Sequence, residues 1–157
     1  MIDRSFSLRL STLLLLSSML SFPIRGAADP NPKIGRYETD TKECFYTDST
    51  QDSVACITLQ LNGRSASVVA IRLIGHGTTK NSRRQLTFVT LTSQGESPLT
   101  CSAGTCRLSA ASWKSAVSSV AEASVNSNGI ATGLPKAWAA NNGECNLKDR
   151  VLKCRAL

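Results

Sequence analysis

The chain has 157 residues, with 18 lysines and arginines against 11 aspartates and glutamates, and six cysteines, a size that suits one small domain. It contains no G-x-x-x-x-G-K-[ST], G-x-G-x-x-G, H-E-x-x-H or EF-hand loop, so the motifs that announce phosphate, dinucleotide, zinc or calcium chemistry are missing. No unbroken apolar run reaches the ~18 residues of a spanning helix.

In chain order, residues 1–28 read as an export signal. Arg4 and Arg9 form a basic start, Leu10 to Phe22 an apolar stretch, and Gly26-Ala27-Ala28 a small-residue cleavage region. The stretch from Leu10 to Phe22 is too short to span a bilayer and is broken by serines, which favours a cleaved signal over an anchor. Its removal takes away Arg4, Arg9, Arg25 and Asp3, leaving residues 29–157 as a single globular domain in which cations still outnumber anions. No stable membrane span is expected in that remainder.

Residues 29–53 are polar and acidic, with a short strand expected at Cys44-Phe45-Tyr46. Val54 to Leu61 alternates apolar and polar side chains, and Asn62-Gly63 supplies a dipeptide that tolerates positive φ, so a hairpin with a return strand over Ala66 to Ile74 is expected. Gly75 to Arg84 reads as a loop and Gln85 to Thr92 as a third strand. Leu99 to Leu108 reads as a hairpin tip in which Gly104 takes the left-handed conformation. From Ser109 the spacing changes. Ala110, Trp113, Val117, Val120, Ala121 and Ser124 recur at three and four, and Ser109 is an acceptable N-cap, which predicts one helix over about 110–124 closed by Asn126-Ser127-Asn128-Gly129. The last segment, Glu144 to Leu157, reads as a hairpin turning near Lys148-Asp149-Arg150. The expected architecture is therefore α+β and β-rich: a small antiparallel sheet of about four to six strands, one helix packed on it through Trp113, Val117 and Val120, and three local disulfides.

The cysteines fall into three sequence-local pairs, spaced as C-x11-C, C-x4-C and C-x8-C, with much longer gaps between one pair and the next. They are expected to join as Cys44 with Cys56, Cys101 with Cys106, and Cys145 with Cys154, which suits an oxidising, periplasmic or extracellular compartment. Zinc is disfavoured, because there is no C-x-x-C and only one histidine. No metal and no cofactor is expected.

Charge carries the functional hint. Between Asp52 and Glu96 there is no acidic residue, while Arg64, Arg72, Lys80, Arg83 and Arg84 lie in that interval. Guanidinium forks and lysines gathered this way suit an acidic protein or an anionic envelope polymer. The expected binding set is Arg72, Lys80, Arg83 and Arg84, joined by Trp138 from a loop. A second basic group is Lys148, Arg150, Lys153 and Arg155. Nucleic acid is not expected, since aromatic platforms are sparse and scattered. Two other readings stand beside a non-catalytic binding or accessory protein: a small secreted hydrolase using His76 as general base, for which no activated nucleophile is marked, and a purely structural envelope protein.

Overall fold

The computed structural model describes residues 33–47, 51, 53–93 and 96–157; the expected export signal lies outside them. These residues form eleven strands: β1 (Gly35–Asp40), β2 (Phe45–Thr47), β3 (Ser53–Gly63), β4 (Val68–His76), β5 (Arg83–Leu91), β6 (Leu99–Ser102), β7 (Gly104–Leu108), β8 (Ser112–Val125), β9 (Lys136–Ala139), β10 (Gly143–Lys148) and β11 (Val151–Ala156). All belong to one sheet in the order β11-β10-β8-β5-β4-β3-β1-β7-β6, with β2 added to β3 and β9 to β8. Every pairing is antiparallel except β1 with β7. The expected α+β fold is thus corrected twice: the described residues contain no helix, and the sheet has eleven strands rather than four to six.

The predicted helix is β8, the longest strand. Its buried residues begin as a plain alternation, Trp113, Ser115 and Val117. Then Thr90 pairs with Val117 but Val89 with Ser119, so Ser118 is an extra residue at a β-bulge, and the next buried side chain is Val120. Two steps of two followed by one step of three imitate the four-and-three spacing of a helix face. The Ser118 Oγ donates to the Val89 carbonyl at 3.0 Å and the Ser115 Oγ to the Leu91 carbonyl at 2.8 Å. These are serines that a helix interior would have used poorly.

The hairpin expected at Asn62-Gly63 exists with a different turn. Asn62 and Gly63 remain in β3, opposite Ala70 and Val69, and the chain reverses over residues 64–67, where the Arg64 N–H donates to the Val68 carbonyl at 2.9 Å. Gly63 is required by close approach instead: a Cβ there would collide with the Lys33 carbonyl. The β10–β11 hairpin turns at Asp149 and Arg150, both with positive φ, and the β6–β7 hairpin at Ala103 and Gly104, likewise.

Opposed residues share a face, so the ladders define the core. One row crosses six strands as Tyr37, Leu61, Ile71, Phe88, Val120 and Trp138. Beside it run Val69, Thr90 and Val117, and at the far end Trp113 faces Leu147 while Ser115 faces Cys145. The apolar side chains of these rows, with Leu99, Cys101 and Cys106 from the opposite edge, form one core cluster, against which Tyr37 and Trp138 pack partly buried. No helix or second sheet covers that face among the described residues, so the sheet buries it by curling on itself.

All three expected disulfides are present: Cys44–Cys56, Cys101–Cys106 and Cys145–Cys154. The last two join residues directly opposite in their ladders, and Cys145 is fully buried.

Candidate functional site

Register divides the expected binding residues among three places. Arg72 lies in the middle of β4, opposite Gln60 on β3 and Thr87 on β5, on the face turned away from the core. Arg83 begins β5 on that same outer face, opposite His76 and Val125, at the end of the sheet where the β4–β5 connection carries the exposed Lys80. Arg84, its neighbour in sequence, takes the opposite parity. It pairs with Gly75 and Ser124 on the core side, diagonally across from Glu122, and is half-buried. Trp138 sits in the edge strand β9 opposite Val120 and packs against the core. The structure therefore brings Lys80 and Arg83 together and separates Arg72 and Trp138 from them.

Arg72 belongs to a polar network on the outer face of β1, β3 and β4. Gln60 Nε2 donates to Glu38 Oε2 at 2.8 Å, Arg72 Nη1 donates to Gln60 Oε1 at 3.5 Å, and Arg36 Nε lies 3.8 Å from Glu38 Oε2. Partial burial, and then the proximity of Arg64 and Arg36, hold the Arg72 guanidinium below its ordinary pKa. Glu38 is engaged by Arg36 and Gln60, and the network is largely absorbed in holding its own strands together.

The second basic group lies at the other end, on β10 and β11. Lys153 faces Asn146 and Arg155 faces Glu144, while Lys114 Nζ meets Glu144 Oε2 at 2.7 Å. A shallow depression of about 670 Å³ lies beside these residues, lined by Glu96, Trp113, Lys114, Asn146 and Lys148 among others.

Two further residues at the Lys80–Arg83 end were not apparent from the sequence. The β8–β9 connection, residues 126–135, lies next to Arg83, because Val125 pairs with Arg83 on one side and bridges Ala131 on the other. Asn126 organises this connection: its Oδ1 accepts the N–H groups of Asn128 at 2.9 Å and Ile130 at 3.0 Å, and its own N–H donates to the Ile130 carbonyl. The result is a built turn that displays Ile130, 63% exposed; Leu134, 97% exposed, follows it in the same connection. Their signal in the sequence is an Asn-x-x-Gly turn followed by isolated apolar residues between glycines.

His76 is exposed at the end of β4 beside Arg83. Among the described residues no carboxylate orients its ring, and no group of three His, Cys, Asp or Glu side chains is placed to hold a metal ion.

The described residues thus form an all-strand, disulfide-linked single sheet with an exposed end that carries basic and apolar side chains. Compared with known proteins, the chain matches no protein-family model, no curated sequence and no solved structure.

Proposed function

We propose that the chain is an exported, non-catalytic docking protein that holds an anionic partner at the end of the sheet formed by the β4–β5 and β8–β9 connections. The observation that carries this reading is the β5–β8 register. It sets Arg83 beside Val125, at the end where the β4–β5 connection carries Lys80 and the β8–β9 connection returns past Val125. Lys80 and Arg83 are exposed and have no carboxylate partner among the described residues. In contrast, Lys114 and Arg36 are engaged by Glu144 and Glu38. The export half of the reading is supported by the basic, apolar and small-residue succession over residues 1–28 and by three cystines, a chemistry of oxidising compartments.

The test is salt-dependent retention on a polyanion matrix. Lys80→Ser with Arg83→Ser is expected to elute at clearly lower salt than wild type, whereas Lys148→Ser with Lys153→Ser elutes close to it. Reversal of that order, or passage of the wild-type protein without retention, overturns the assignment of this surface.

A further inference from the structure

Resting on that reading, we infer that the anionic partner is a lipid surface, which Ile130 and Leu134 enter while the flanking cations meet the headgroups. A purely electrostatic docking patch has no use for large aliphatic side chains as exposed as Ile130 and Leu134. Here Ile130 closes the Asn126 turn and Leu134 follows four residues later in the same connection, whose backbone is fixed by Asn126 and by the Thr132 N–H donating to the Ser124 carbonyl at 2.8 Å. Their display is therefore built into the fold. Gly129 and Gly133 take positive φ beside Ile130 and Leu134, a conformation that other residues rarely adopt.

Beside this connection Lys80 and Arg83 stand exposed on the outer face, while Arg84 and Lys136 lie on the core-side face with Glu122 next to both in register. Apolar residues that penetrate the interface, ringed by cations at headgroup depth, are the arrangement by which proteins that do not span a bilayer hold to an anionic one. The flank over β1 and its connection carries Asp40, Lys42 and Glu43, so the contact is confined to the β5, β8 and β9 side.

The experiment compares sedimentation with vesicles of phosphatidylcholine alone and of phosphatidylcholine with phosphatidylglycerol, alongside the polyanion elution described above. It uses the exported protein after its N-terminus has been determined, because an uncleaved residue 10–22 stretch would itself bind lipid. Wild-type protein is expected to sediment with the anionic vesicles only. Ile130→Ser with Leu134→Ser is expected to weaken that association about tenfold or more while leaving polyanion elution unchanged. Circular dichroism and thermal melts should match wild type, since neither side chain supports the core. Undiminished vesicle binding by this double variant overturns the lipid assignment. Polyanion retention without any vesicle association also overturns it, leaving a protein or polysaccharide partner and the docking surface intact. Failure to bind either probe overturns the lipid assignment and the docking surface together.

Discussion

The bulge at Ser118 makes a prediction that separates a strand from a helix with two single-residue deletions. Because Ser118 is the unpaired residue between Val117 opposite Thr90 and Ser119 opposite Val89, its deletion joins two segments that are already in register. Trp113, Ser115, Val117 and Val120 stay on the core face, and the losses are the Ser118 hydroxyl bond to Val89 and the Ala140 N–H bond to the Ser118 carbonyl, about 0.5–1.5 kcal/mol each, and the local twist that the bulge supplies. Deleting Ala121 has no such escape. If the bulge absorbs the change, Ser119 moves into the row between Phe88 and Trp138, and Val120 moves outside, opposite Thr87. Exposing the valine forfeits about 1.5–3 kcal/mol, and burying the serine hydroxyl without a partner adds about 1–3 kcal/mol. If the bulge is kept, Glu122 to Val125 change faces instead, with a similar penalty. The deletion of Ala121 is thus expected to cost about 2–4 kcal/mol more than that of Ser118. In a domain of this size that is on the order of 10 °C in Tm, at about 4 °C per kcal/mol. Urea and thermal unfolding followed by circular dichroism measure it. Equal losses, as expected if each deletion merely rotated a helix, or a larger loss from deleting Ser118, would refute the strand and bulge account.

Other consequences are equally direct. Replacing Cys145 and Cys154 with alanine should cost about 2.5–3 kcal/mol in urea unfolding, and Cys101 with Cys106 about 2 kcal/mol, following the loop each closes. Arg64→Gln should raise Tm slightly and reduce its salt dependence, since Arg72 is held below its ordinary pKa by burial and then by Arg64 and Arg36. The sign follows from that direction: a cation whose folded pKa is lowered opposes folding while it stays charged, and it stays charged throughout the neutral range, so no pH window should appear between about pH 5 and 8. Trp138→Ala should lower stability by about 1.5–3 kcal/mol, less than a fully buried tryptophan, and leave polyanion elution at the wild-type salt concentration; a shift in elution with unchanged stability would restore Trp138 to the binding surface. Gly63→Ala should cost about 1–3 kcal/mol, because its Cβ meets the Lys33 carbonyl, and a neutral result would refute that close approach.

The parts of the fold that were legible are those set by local sequence. Ile57, Leu59 and Leu61 alternating with polar residues announce β3. Cysteine partners at sequence separations of 12, 5 and 9 lie within hairpins or across a short connection, so local pairing was the natural expectation and is the one observed. What stayed hidden depends on partners remote in sequence. Residues 112–125 are rich in alanine and serine and have weak strand propensity. They become the longest strand because β5 pairs along one side and β10 and β9 share the other. That double flanking outweighs intrinsic preference, and the bulge it carries disguises the period. Strand β1 shows the same dependence: Arg36 to Asp40 offers one aromatic residue among polar ones, and its place is fixed by β3 on one edge and by the parallel start of β7 on the other.

The functional surface was half visible for a related reason. A run of cations is evident in any sequence, but in a strand consecutive side chains point to opposite faces. Once β5 begins at Arg83, ahead of the expected Gln85, Arg83 and Arg84 can no longer serve one patch. Parity sends Arg83 outward beside His76 and Arg84 inward toward Ser124. The apolar half of the surface lies far along the chain from these cations and joins Arg83 only through the Val125 ladder. Charge alone therefore suggested an acidic partner of any kind. The register adds Ile130 and Leu134 to the same end, and with them the reason to favour a partner that has both a charged surface and an apolar interior.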